Sequence, residues 1–167
     1  SDIDVVYVAS VTGSHHAITK KALEAGKHVW CEKPMAPTLA EAESMLMAAR
    51  KSGKVTLLGY NYIQNPAIRK IAALVRDGVI GELTQVRMEV DEDFMADAAT
   101  PFYWKHEAAS GHGGLDDLGV HAFSILHLIA GRVERIITDM SRPYAELPTG
   151  TGVMRTVETH DIASMLM

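Results

Sequence analysis

The chain has one cysteine, few aromatic residues, no long apolar run and no glycine-rich phosphate turn, and each shortage removes a class of protein. A lone Cys31 excludes an internal disulfide framework and fits a reducing compartment, so the cytoplasm is the expected setting. No stretch approaches the roughly 18 consecutive apolar residues that a membrane helix needs. Sixteen Lys and Arg against 21 Asp and Glu leave a net charge of -5, with no footprint for nucleic acid. His15 and His16 are adjacent and face different ways on a helix, so no metal site is expected. What remains is a hydrophobic share of 47%, that of a globular protein, in 167 residues. That length buries a real core as one domain, or as one domain and part of another.

The first third alternates strand and helix. Val5-Val6-Tyr7-Val8-Ala9 is a continuous apolar run of the kind found in a parallel strand covered on both faces. Ser14 is the expected cap of a helix carrying Ala17, Ile18, Ala22 and Leu23, which ends at Gly26. A strand at 28–31 follows, then Thr38 and Glu41 form a capping box for a helix that closes before Gly53. Lys54 to Leu58 make a third strand. Strand, helix, strand, helix, strand predicts parallel strands joined by right-handed crossovers.

Past Asn61 the rhythm changes, and a boundary between domains is expected at 62/63. Asn65-Pro66 opens a helix to about Asp77, and Leu83 to Val90 alternate as a strand with one wet face. An irregular stretch runs from Asp91 to His112, the length of a functional or mobile loop. Gly113-Gly114 leads into a helix stopped at Gly131, and strands are expected at 133–140 and 156–167 around a turn region at 143–152. Both ends read as cut, so the chain is expected to be a piece of a longer protein.

Chemistry concentrates in two places. Cys31-Glu32-Lys33-Pro34 puts an acid and a base where a strand gives way to a loop, since Pro34 cannot continue a central strand. In open α/β sheets, ligands bind outside the carboxyl ends of the strands. Asp117 and His121 are four apart, on one face of a helix, where a carboxylate orients an imidazole. Asp116 is expected to point elsewhere around that helix. Trp104-Lys105 suits stacking on a sugar ring, and equally suits anchoring of its loop. Glu32 by itself reads as well as an ion pair with Lys27 or Lys33. The Met residues and Cys31 read as packing.

Ala25-Gly26-Lys27-His28-Val29 running into Glu32-Lys33-Pro34, then Gly59-Tyr60-Asn61-Tyr62, then Asp117-x-Gly119-x-His121 follow one order. Together they resemble the Gfo/Idh/MocA family of NAD(P)-dependent sugar and polyol dehydrogenases. The resemblance implies the C-terminal part of a Rossmann-type parallel sheet in residues 1–62. It implies part of a substrate-binding and oligomerisation α/β domain with an open, largely antiparallel sheet in 63–167. It implies NAD or NADP as cofactor and a homo-oligomer, dimer or tetramer, as the whole protein. Ser10, His15, Glu32 and Lys33 would meet the cofactor. Lys33, Asn61, Tyr62, Trp104, Lys105, Asp117 and His121 would meet a sugar or polyol. Lys33, Asp117 and His121 would be catalytic, Asp117 orienting His121. Alternatives are an NAD-using glycosidase of the same fold and a non-catalytic nucleotide- or sugar-sensing regulator.

The sequence departs from the family pattern at three places. Ser10-Val11-Thr12 stands for the usual Thr-Pro-Asn, Ser124 for an aspartate, and Ile63 for an arginine. The phosphate-binding turn belongs to a βαβ unit of roughly 30 residues that is not in this chain. These residues alone are therefore expected to bind a dinucleotide poorly and to be inactive, and NAD is not told from NADP.

Overall fold

The computed structural model describes residues 2–93, 95–111 and 113–167, so His112, the expected end of the irregular stretch, lies outside the described residues. Three parallel strands, β1 (Val5–Val8), β2 (His28–Cys31) and β3 (Thr56–Leu58), lie in that order. Val5 pairs with His28 and Val8 with Cys31, and Val29 pairs with Thr56. Helices α1 (Thr12–Glu24) and α2 (Leu39–Ser52) make the two crossovers and pack on each other.

Helix α1 starts two residues earlier than its expected cap. Ser14 sits inside the first turn and donates its hydroxyl to the Val11 carbonyl at 2.8 Å. Thr38 does cap α2, accepting from the Glu41 amide at 3.3 Å, while its own hydroxyl donates to the Glu41 carboxylate. Gly53 closes that helix in the left-handed conformation at φ 64°.

Both helices cover the same face of the sheet. Val8, Val29 and Cys31 are buried there against Ala22 and Leu23 of α1 and Met45 of α2. The opposite face, expected to be covered, is open: Val5, Tyr7, Trp30 and Leu57 are each 44–56% exposed. Two crossovers of one hand, stepping in one direction along a sheet, place both helices on one side. The apolar run at 5–9 therefore meets a core through only one of its faces.

Helix α3 (Pro66–Arg76) opens as expected, the Asn65 side chain accepting from the Ala67 amide at 2.9 Å. The expected strand at 83–90 does not form. Alternation supplies one wet face, but a strand also needs a hydrogen-bonded neighbour, and among the described residues no backbone bond ties this stretch to another segment. The stretch after it is irregular yet firmly held. Its short 3-10 turns at Trp104–His106 and Ala108–Ser110 are tied to residues 148–159, with Phe102 N donating to Pro148 O at 2.7 Å. Glu158 N donates to His106 O at 2.9 Å, and Thr159 Oγ1 to Lys105 O at 3.1 Å.

The expected C-terminal strands are redistributed. β4 (Ile137–Ser141) pairs antiparallel with β7 (Ile162–Leu166), from Ile137↔Leu166 to Ser141↔Ile162. The turn region contains a hairpin of its own, β5 (Glu146–Pro148) with β6 (Met154–Thr156). Residues 157–161 break the long strand expected at 156–167 because they serve the loop instead, with Val157 and Thr159 almost fully buried. Helix α4 (Val120–Ala130) is preceded by a π-helical turn at Leu115–Gly119. Gly113 and Gly114 admit the start of β7: Gly114 N donates to His160 O at 2.8 Å, and a Cβ on Gly114 would lie 2.7 Å from Asp161 O. Among the described residues no helix is long and apolar enough to cross a membrane.

Met45 is 2% exposed at the centre of the α1–α2–sheet core. Met45→Ala is expected to destabilise the fold by about 2–5 kcal/mol, read as a lowered midpoint in urea denaturation at unchanged slope.

Candidate active site

The site is assembled at the carboxyl edge of the parallel sheet. Glu32 leaves β2 with its amide still in the ladder, donating to Val8 O at 2.9 Å. Its carboxylate turns back over β3, where only a glycine leaves room: a Cβ on Gly59 would lie 2.6 Å from Glu32 Oε2. Tyr7 Oη donates to Glu32 Oε1 at 2.7 Å and Lys33 N donates to Oε2 at 3.3 Å, so the carboxylate is held at both oxygens.

Lys33 reaches across to the π-helical turn. Its Nζ donates to Asp117 Oδ1 and to the Asp117 carbonyl, each at 2.7 Å. Lys105, from the Trp104–His106 turn, donates to the other carboxylate oxygen, Oδ2. One carboxylate thus joins three segments. The side chains of Lys33, Asp117 and Lys105 are 20%, 18% and 30% exposed, so the pairs are only partly screened by water. Burial works to raise the Asp117 carboxyl, but the hydrogen bonds from Lys105 and Lys33 outweigh it and hold it below its ordinary 3.8.

Their spacing led to an orienting Asp117–His121 pair being expected, but the Asp117 carboxylate bonds Lys33 and Lys105 and, among the described residues, makes no hydrogen bond to His121. His121 is 4% exposed and stacks on Tyr62, ring centroids 3.9 Å apart and planes at 16°. Its Nδ1 is buried and has no hydrogen-bond partner among the described residues. Burial, and then the charge of Lys33, lower its pKa from 6.5, so the imidazole is neutral at pH 7. The π-helical turn also alters the expectation for Asp116, which lines the same cavity as Asp117.

That cavity has a volume of about 230 Å³ and is bounded by Ser10, Glu32, Lys33, Trp104, Lys105 and Asp117. A second, of about 200 Å³, shares Lys105 and Asp117 with it and is lined further by Met95, Leu118 and Asp161. Asn61, Tyr62 and His121 line neither. His15 lies beneath the first cavity at 1% exposure, with Nδ1 2.9 Å from Pro34 O and Nε2 3.0 Å from Ser10 O. His15 itself is not among the residues that line the cavity.

The first cavity fits one end of a dinucleotide. It opens beyond the carboxyl ends of β1 and β2, floored by the small residues Ala9 and Ser10, with Ser10 and Glu32 available to sugar hydroxyls. These residues suit the nicotinamide ribose, and none of them forms a cradle for a pyrophosphate. Among the described residues no His, Cys, Asp and Glu cluster has metal-holding geometry.

Comparison with known proteins fits this arrangement. Residues 1–60 match the Gfo/Idh/MocA oxidoreductase family's NAD-binding Rossmann fold, and residues 68–167 match the Gfo/Idh/MocA C-terminal domain. The chain belongs to the Gfo/Idh/MocA oxidoreductases. It is 30% identical over 152 residues to levoglucosan dehydrogenase of Pseudarthrobacter phenanthrenivorans, covering 90% of this chain and 39% of that protein. A crystal structure of an oxidoreductase domain protein from Kribbella flavida superposes with a TM-score of 0.94 at 36% identity, over 99% of this chain and 45% of that one. Levoglucosan dehydrogenase in complex with NADH and L-sorbose superposes with a TM-score of 0.90 at 28% identity, over 98% of this chain and 44% of that one. The chain spans about two fifths of the length of the curated relatives it matches.

Within this Gfo/Idh/MocA chain, sequence reading found Lys33, Asp117 and Lys105 but not that they form one cluster. It missed Tyr7, whose strand context hides a hydroxyl aimed at Glu32, and it missed the buried His106 and the half-buried Asp161. Among the described residues His106 Nε2 and Asp161 Oδ1 have no hydrogen-bond partner, and burial shifts both groups toward their neutral forms. Neither lies in a motif, so only the fold brings them to notice.

Removing the shared carboxylate takes from Lys33 and Lys105 the anion that both of them bond. Asp117→Asn is expected to cost about 2–3 kcal/mol at pH 7, somewhat less than a fully buried pair. Asp117 titrates low in the folded state, so its contribution is present above pH 3.8 and is lost as pH falls through the folded value. The difference between native and variant, followed by thermal unfolding, should shrink below pH 4.

Proposed function

We propose that the whole protein carrying this chain transfers a hydride between NAD or NADP and a hydroxyl-bearing carbon of a sugar, inositol or related polyol. The observation that carries this reading is the Lys33–Asp117 pair in the wall of the first cavity. The bound nicotinamide would supply the hydride acceptor or donor, and the chain's own residues handle the proton.

An ammonium has three N–H donors, and two of those on Lys33 are committed to Asp117. The third is left for a substrate oxygen. A hydride leaves an alcohol carbon only as its hydroxyl proton departs, so a donor that stabilises developing alkoxide lowers the barrier. Asp117 holds Lys33 in place rather than orienting an imidazole. His121, neutral at pH 7, is the proposed proton acceptor, and Tyr62 fixes the plane of its ring. Lys105 and Trp104 bound the same space, where a cation and an aromatic face suit sugar hydroxyls and the C–H face of a ring. Asn61 is proposed to join them at the substrate. Ser10 and Glu32 are proposed to meet the nicotinamide ribose. A sugar or polyol substrate is supported by levoglucosan dehydrogenase, whose structure holds NADH and L-sorbose.

Two domains, one through residue 62 and one from 63, a homo-oligomeric state and a cytoplasmic setting complete the proposal. The outward face of β4 and β7 exposes Ile137, Ile162 and Leu166 at 74%, 50% and 73%, which supports association through that sheet. Light scattering on the whole protein at micromolar concentration should give a dimer or tetramer; a monomer would refute this part.

Lys33→Met in the whole protein is expected to lower turnover by about a hundred- to ten-thousandfold while the NAD dissociation constant stays nearly unchanged. Steady-state kinetics paired with calorimetry separates the two, and a variant turning over at near-native rate would end the role given to Lys33.

A further inference from the structure

His15 is one of the most deeply buried polar side chains, at 1% exposure, yet both of its ring nitrogens face backbone carbonyl oxygens. A neutral imidazole carries one N–H and one lone pair, so it donates to only one of two such acceptors. The other nitrogen would set its lone pair against a carbonyl lone pair at about 3 Å with no water between them. Only the imidazolium donates to both. The two acceptors belong to different segments: Ser10 O lies on the loop after β1, and Pro34 O on the turn after β2. These segments contribute Ser10, Lys33 and Pro34 to the lining of the first cavity, and the second presents Lys33.

We infer that His15 is a buried imidazolium that straps the Lys33–Pro34 turn to the Ser10 loop and so positions Lys33, and that losing its proton slackens the strap. The consequence for turnover rests on the role proposed above for Lys33; the protonation state does not.

The surroundings agree. Cys31 of β2 is the titratable side chain that acts on the ring. His16 and Lys20 on α1 turn to Ser44 of α2, and Glu32 and Lys33 on the turn are engaged with Tyr7 and Asp117. Glu107, beside the 3-10 turn that packs on α1, pairs with Arg155. The Cys31 thiol and the two carbonyls push His15 up to about 9, against a burial that lowers it. Because the folded value lies above the ordinary 6.5, the stabilisation from this proton is full below pH 6.5. It is lost as pH rises through about 9.

The test is nitrogen-15 NMR of the imidazole in the whole protein labelled at histidine, with Asp117 carbon-13 labelled at its carboxyl. At pH 7.5 both His15 ring nitrogens should carry protons, titrating together near pH 9, with the Asp117 carboxyl resonance moving at the same midpoint. Turnover should fall with that midpoint. His15→Gln, which donates through a single nitrogen, should abolish this alkaline limb and lower kcat about ten- to a hundredfold. A neutral His15 at pH 7.5 would overturn the inference. So would a titration that leaves the Asp117 signal and the alkaline limb of turnover unmoved. If the protein oxidises no sugar, the two resonances still decide the state and reach of His15, and failure of the proposed function shows separately. If His15→Gln does not fold, the native titration decides alone.

Discussion

A single carboxylate shared by two ammonium groups holds this site together. Asp117 takes Lys33 on one oxygen and Lys105 on the other, and the three come from the end of a parallel strand, an irregular loop and a π-helical turn. Hydrogen bonds to a charged group are stronger than neutral ones, and at 18% exposure the carboxylate is only partly screened. Without Asp117 the ammonium groups of Lys33 and Lys105 lose the carboxylate they share.

Much of the surrounding fold serves that meeting. The Gly113-Gly114 step lets the π-helical turn press against the start of β7, where the backbone approaches too closely for a side chain. Residues 157–161 give up a continuous strand to pin the loop that carries Lys105. On the other side, Gly59 leaves space for the Glu32 carboxylate, and His15 holds the turn that presents Lys33. A π-helical turn at this point is in keeping with the frequent use of such turns at functional sites.

The parallel βαβαβ half was legible because its signals are local. Thr38 with Glu41, Asn65 before Pro66, and the glycines after α1 and α2 mark element ends by backbone hydrogen bonding alone. The C-terminal half was read less well because its strands depend on partners. Alternation at 83–90 describes a half-wet surface, not a neighbour, and nothing local predicts that Val157 and Thr159 would be drawn under a loop. The site shows the same division. Lys33, Asp117 and His121 stood out in their motifs, but a spacing of four suggested Asp117 with His121, while long-range geometry gave Asp117 two lysines and gave His121 the ring of Tyr62. Lys105 was visible beside Trp104 only as a residue suited to a sugar. Its hold on a carboxylate twelve positions away depends on the fold of the loop between them.

The most direct test of this account is a double-mutant cycle on turnover in the whole protein, combining Lys33→Met with Asp117→Asn. If the carboxylate acts by holding Lys33, each single change removes most of what the pair contributes, and the double variant falls little below the worse single. Losses that multiply would show that Asp117 and Lys33 act separately, and would contradict the claim that one shared carboxylate organises the site.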